Sequence, residues 1–205
     1  MELFQDSLLY VELISLLLTL LFLKSYKSKQ YCFFIAYLLF AVLADFLGGL
    51  INEGSDAWLY NIYTFFEYGS VALIYYYATN TKLSKKVIVY TSIFFYTIYG
   101  LSFVFTSWQT YTVILLHFCV VPFFFFYFQE LLNSKKIMNY KKQLFFWVTV
   151  GFLIYYFGNL PFITLSFIGM LQNRILYSVP TFILLIVHGI FIVNLIWLRK
   201  VRKLS

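Results

Sequence analysis

Charge is scarce in this chain: Asp, Glu, Lys and Arg make up only 11% of its 205 residues, against 62% hydrophobic ones. A folded aqueous domain needs a polar surface over its core, so a soluble kinase, nuclease or nucleotide-binding domain is excluded. Any reaction would have to occur within a bilayer or at its surface. Cysteine is equally sparse. Cys32 and Cys119 are expected at different depths, too far apart for a disulfide, and report nothing on redox compartment. A His-Glu-x-x-His run and close His pairs are missing too, so no metal and no cofactor is expected. The start, Met1 to Asp6, lacks the basic residues of a secretory leader, and no small-residue cleavage site follows the first apolar run. That run is expected to stay.

What charge there is falls in a pattern. Lys24, Lys27 and Lys29 follow the first apolar stretch, and Lys82, Lys85 and Lys86 follow the third. Lys135, Lys136, Lys141 and Lys142 follow the fifth, and Arg199, Lys200, Arg202 and Lys203 the seventh. Of the basic residues only Arg174 falls in an alternate gap, and other such gaps hold acids: Glu2 and Asp6, then Glu53 and Asp56. Cytoplasmic loops collect Lys and Arg, so the pattern predicts the N-terminus outside and the C-terminus inside. Lipid-exposed backbone must satisfy its own hydrogen bonds, and no alternating strand pattern is visible, so the spans should be helices.

The expected architecture is all-α: one polytopic domain, a seven-helix bundle with spans near 7–23, 30–51, 57–78, 86–105, 110–131, 143–167 and 175–198. Trp58, Trp108, Trp147 and Trp197 fall near span ends, as interfacial anchors do. The basic residues form separate clusters flanking spans, not one patch. The net charge of +7 therefore signals orientation and contact with anionic membrane lipids, not nucleic acid.

Polar side chains inside a span are costly, about 2.5 to 3.5 kcal/mol each when charged, and normally face the bundle interior. The candidates are Glu12, Asp45, Asn61, Glu67, His117, Asn159, His188 and Asn194. Counting about 1.5 Å per residue from the outer end of each span, Asn61 and Glu12 lie roughly 6 to 8 Å deep and Asp45 about 9 Å. His117, Asn159 and Glu67 lie at about 10 to 15 Å, His188 nearer the middle, and Asn194 near the inner end. Three-or-four-residue spacing puts Glu12, Ser15 and Thr19 on one face, and likewise Tyr60, Tyr63, Thr64, Glu67 and Ser70. Ala41, Ala44, Asp45, Gly48 and Gly49 form a face of small residues around a carboxylate. Pro161 and Pro122 release the carbonyls of Phe157 and Phe118. With no Lys or Arg in any span interior, Glu12, Asp45, Glu67, His117 and Asn159 are expected to line a polar pocket open to the outside, with carboxylates that carry a proton or pair with His117. Asn61 and His188 are further candidate ligand-binding residues.

Known seven-helix chemistries fail on residues. The last span has no Lys for a retinal Schiff base, no Asp-Arg-Tyr ends the third span as in G-protein-coupled receptors, and the Pro-Gln pairs of small sugar transporters are absent. Ser70 and His188 lack the context of a rhomboid protease, and Asp45 and Glu67 match lysoplasmalogenase-type lipid hydrolases poorly. The stretches Leu59-Tyr-Asn-Ile-Tyr-Thr-Phe-Phe-Glu67 and Gly151-Phe-Leu-Ile-Tyr-Tyr-Phe-Gly-Asn-Leu-Pro161 resemble those of small bacterial seven-helix inner-membrane proteins. The resemblance covers the chain loosely and implies a shared architecture, a place in the inner (plasma) membrane, and no particular activity. The expected function is non-enzymatic: a sensor or accessory subunit that binds a small or lipidic ligand in the outer-half pocket. It would act through a separate membrane signalling or complex partner engaged by the basic inner loop of Lys135, Lys136, Lys141 and Lys142. The alternatives are a membrane-embedded lipid-modifying enzyme using Asp45 and Glu67, or a small proton-coupled transporter in which Glu67 titrates.

Overall fold

In the computed structural model, residues 2–51, 57–105, 109–167 and 174–204 are described. The loop at 52–56 and Trp108 lie outside the described residues, as do the side chains of Lys135, Lys136 and Arg174. The described chain is all-α. Its helices are α1 (Glu2–Leu21), α2 (Lys29–Leu50), α3 (Ala57–Ala78), α4 (Lys82–Ser102), α5 (Gln109–Leu132), α6 (Leu144–Phe167) and α7 (Arg174–Leu204), with 3₁₀ turns at Leu23–Ser25 and Lys135–Lys142. Among the described residues, four helical stretches are long and apolar enough to cross a membrane: Lys29–Leu50, Tyr111–Leu132, Leu144–Leu165 and Ser178–Lys200. α1 contributes the shorter apolar run Ser7–Leu21. α3 and α4 are diluted by tyrosine, serine, threonine and lysine, although a tyrosine ring packs as an apolar body with a polar tip.

The helices sort into two compact units: residues 27–130, holding α2 to α5, and residues 1–26 with 131–205, holding α1, α6 and α7. In the first unit, α2 and α3 form an antiparallel hairpin. Phe33 stacks on Tyr77 at 5.6 Å and Phe40 on Phe66 at 4.4 Å. Gly48 lies under the Tyr60 hydroxyl, where an added Cβ would come within 2.7 Å of that oxygen. α4 runs back along α3: Tyr68 stacks on Phe95 at 3.9 Å, the Tyr96 hydroxyl donates to the Phe65 carbonyl at 3.2 Å, and that of Tyr99 donates to the Asn61 carbonyl at 2.9 Å. α5 is parallel to α3 and meets it through large rings, Tyr68 with Phe123 and Tyr75 with Phe124 and Tyr127 at 5.2 to 6.0 Å. Where helices cross a membrane, lipid tails are as apolar as these rings, so close packing and hydrogen bonds, more than exclusion of water, hold them together.

The chain sets the start of α4 with a clamp. Glu130, on the last turn of α5, accepts from the Asn80 and Thr81 amides at 2.7 and 3.1 Å and from the Thr81 and Ser84 hydroxyls at 2.8 and 2.7 Å. The Thr81 hydroxyl also accepts from the Ser84 amide at 3.2 Å as N-cap. A carboxylate at a helix N-terminus meets unpaired N–H groups and the positive end of the helix dipole. This is why α4 begins at Lys82, a turn earlier than the apolar pattern at 86 suggests.

In the second unit α7 lies between α1 and α6. α6 is antiparallel to α7, because Gly151 faces Phe191 and Gly158 faces Ile183. A Cβ on Gly151 would stand 2.5 Å from Phe191 Cε1, and one on Gly158 3.1 Å from Ile183 Cδ1, so the two glycines, two turns apart, let α7 approach. α1 is parallel to α7: Ser15 meets His188, and further along both helices the Arg199 guanidinium lies 4.7 Å from the Phe22 ring centroid. The buried stripes have the expected helical period, Leu8, Glu12, Ser15 and Thr19 on α1, continued by Phe22 just past its end, and His188, Phe191, Leu195 and Leu198 on α7.

One consequence for charge follows within each unit. With α1 parallel and α6 antiparallel to α7, Lys24, Lys141, Lys142 and Arg199 gather at one end of their unit. With α3 parallel to α5 and both antiparallel to their neighbours, Lys29, Lys82, Lys85 and Lys86 gather at one end of the other.

Candidate functional site

The candidate pocket residues divide between the units: Glu12, Asn159 and His188 in one, Asp45, Asn61, Glu67 and His117 in the other. Within the first set, Glu12 and His188 meet. Glu12 Oε1 lies 3.6 Å from His188 Nε2, and Ser15 Oγ is 2.8 Å from His188 Nδ1. Ser15 also donates to the Glu12 carbonyl at 2.8 Å, and Thr19 donates to the Ser15 carbonyl at 2.6 Å. All four side chains are buried, and the His188 ring is held edge-on to Phe191 at 5.7 Å. The helical spacing correctly groups Glu12, Ser15 and Thr19 on one face, and the face meets α7. The depth estimates separate Glu12 from His188. The structure joins them because α1 begins at Glu2 and α7 at Arg174, which puts both residues near the middle of their helices.

Asn159 is buried on α6, and its Oδ1 has no hydrogen-bond partner among the described residues. Asn194 is tied to its own helix, donating to the Ile190 carbonyl at 2.8 Å.

In the other unit, His117 Nδ1 lies 2.8 Å from the Val113 carbonyl, which can only accept, so this nitrogen carries a hydrogen. Glu67 is buried on α3, one helical turn from Thr64, whose hydroxyl donates to the Tyr60 carbonyl at 2.8 Å. Asp45 is half-buried. It lies between Phe40 and Gly48 of α2, whose partners on α3 are Phe66 and Tyr60, so the hairpin register brings Asp45 level with the turn bearing Asn61 and Thr64. Of the basic loop, Lys141 and Lys142 are exposed; the Lys141 ammonium lies 5.9 Å from the Tyr140 ring centroid. Groups of His, Cys, Asp and Glu able to hold a metal ion are absent among the described residues.

A groove of about 750 Å³ runs between α3 and α4, lined by Gly69, Leu73, Tyr76, Ile88, Ser92 and Tyr96 among others. Most of its wall is apolar. Its end nearest the α3–α4 turn carries two cations over tyrosine faces: Lys85 Nζ is 5.2 Å from the Tyr76 centroid, and Lys29 Nζ 5.1 Å from that of Tyr77. This groove is not legible in the sequence. Its residues carry no unusual chemistry, and it exists only because α3 and α4 meet through large side chains, Tyr68 on Phe95 and Tyr96 across Gly69. The role of Glu130 is equally hidden in the sequence, because its partners lie 46 to 50 residues away.

The helices and their apolar faces define an α-helical membrane protein. No protein-family model, curated protein sequence or solved structure matches this chain.

Proposed function

We propose that the chain is a seven-crossing integral membrane protein, N-terminus outside and C-terminus inside, that binds a lipid without chemically altering it. The groove between α3 and α4 carries this reading. Its apolar wall suits an acyl chain, and Lys29 and Lys85 at one end suit the phosphate of an anionic headgroup, each contributing about 1 kcal/mol near a membrane surface. The orientation is supported by the basic residues collecting at one end of each unit, as the positive-inside rule requires. The function is that of a sensor or accessory subunit. The basic loop containing Lys135, Lys136, Lys141 and Lys142 is the face for a separate membrane partner.

Ile93 lines the groove and is largely exposed, so Ile93→Trp should fill the groove without disturbing the core. Native mass spectrometry of the gently solubilised protein should show retained anionic phospholipid in the wild type and reduced retention in Ile93→Trp and in Lys29→Ala/Lys85→Ala. Equal retention in all three proteins would refute a lipid site in this groove, and turnover of the lipid would refute a non-enzymatic role.

A further inference from the structure

The hydrogens of the Ser15–His188–Glu12 cluster can be counted. Ser15 has one hydroxyl hydrogen, and its oxygen lies 2.8 Å from the Glu12 carbonyl, which only accepts. Donating there, Ser15 can only accept from His188 Nδ1, also at 2.8 Å, so Nδ1 carries a hydrogen. The other ring nitrogen, Nε2, then faces Glu12 Oε1 at 3.6 Å. If the imidazole is neutral, Nε2 presents a lone pair, and a protonated carboxyl group opposite avoids setting one lone pair against another. If the imidazole is charged, Nε2–H faces a carboxylate. Both arrangements contain one proton more than a neutral imidazole beside a carboxylate, and both leave the pair with no net charge.

We propose that Glu12 and His188 form a proton-binding site, a carboxyl–imidazole pair that holds one exchangeable proton between α1 and α7. The surroundings favour the neutral pair. On α7 no other ionisable residue occurs within two turns of His188; α6 offers only Tyr155 and Tyr156; α1 offers Tyr10, which is exposed, and Asp6, more than a turn before Glu12. Phe191 stands edge-on to the ring at 5.7 Å and is itself edge-on to Phe152 at 5.9 Å. Loss of the proton would leave a net negative charge on a buried contact between helices, and intramembrane carboxylates and histidines are the groups that carry protons in pumps and transporters. The site is independent of the lipid groove.

Solid-state NMR of the full chain labelled with [¹⁵N]histidine in lipid bilayers tests this directly. The chain has two histidines, and a His117→Gln variant assigns the signals. His188 Nδ1 should be protonated, with the ring either charged or in the neutral Nδ1–H form, and raising the pH should release a single proton per chain. Glu12→Gln should keep the neutral Nδ1–H ring and abolish the release. A neutral ring with hydrogen on Nε2 and none on Nδ1 would overturn the proposal, because Ser15 would then donate to the ring and no extra proton would exist. Should Glu12→Gln fail to fold, the pH titration of the wild-type His188 signals still decides: ring-nitrogen signals that do not move as the pH is raised would overturn the proposal.

Discussion

Substituting Gly151 by alanine tests how tightly α6 and α7 are packed. In an isolated helix the change is favourable by about 0.8 to 1 kcal/mol, because glycine has the larger conformational freedom to lose. Here the new Cβ would stand 2.5, 3.1 and 3.4 Å from Phe191 Cε1, Cζ and Cδ1. Carbon atoms rest at about 3.5 to 4.0 Å, so the ring or the helix must retreat by roughly 1 Å. Phe191 has little room to do so: it is 1% exposed and flanked edge-on by Phe152 at 5.9 Å and His188 at 5.7 Å. Overpacking of this kind costs about 1 to 3 kcal/mol, which exceeds the propensity gain and leaves a net loss of about 1 kcal/mol. Gly189, near the middle of α7, is the control: nothing lies within 4 Å of its added Cβ, so Gly189→Ala should gain up to about 1 kcal/mol. Reversible unfolding in mixed micelles measures both. A Gly151→Ala protein as stable as wild type, or a Gly189→Ala protein as damaged as Gly151→Ala, would refute the packing argument. Phe191→Leu in the Gly151→Ala background should recover part of the loss.

Removing the Glu130 carboxylate with Glu130→Ala should cost about 1 to 3 kcal/mol in the same assay, since the amides and hydroxyls at the start of α4 lose their acceptor. Glu130→Gln, which keeps one accepting oxygen, should lose less; equal losses would show that the acceptor count does not matter. Tyr68→Phe should change stability by less than about 0.5 kcal/mol because its hydrogen bond to Ser92 is long, at 3.4 Å, whereas Tyr68→Ala should cost about 3 to 5 kcal/mol by emptying the stack on Phe95. For orientation, a cysteine at exposed Asn139, in a background lacking Cys32 and Cys119, should react with an impermeant maleimide only after cells are permeabilised. Labelling of intact cells would reverse the proposed topology.

Helix positions were largely legible, for a reason that also explains the misses. An apolar run marks where a helix prefers lipid, so α2, α3, α5 and α6 start and stop within about two residues of the hydrophobic pattern. α4 and α7 extend beyond it through lysine- and arginine-bearing turns that apolarity cannot register. At α4 the deciding group is Glu130, contributed by another helix. Among the site residues, periodicity identified the face carrying Glu12 and Ser15 but not the helix it meets. Which of two histidines pairs with Glu12 depends on how helices far apart in sequence come together, and depth counted from apolar boundaries misled because α1 starts before its apolar run. In the sequence the lysines on Tyr76 and Tyr77 mark topology alone; their place at the end of a groove follows only from the antiparallel register of α2, α3 and α4.

The parallel pairing of α1 with α7 also has a bearing on biosynthesis. Ser15 and His188 are 173 residues apart. At about 5 to 20 residues per second, the ribosome delivers the second roughly 10 to 35 s after the first. α2 to α5 form a contiguous stretch and can associate as they emerge, but α1, on the proposed seven-crossing topology, resides in the bilayer through that interval without His188. An inserted helix bearing a lone carboxylic acid tolerates such a wait far better than one bearing a carboxylate. The arrival of α7 is then the moment at which the acid of α1 first acquires its base.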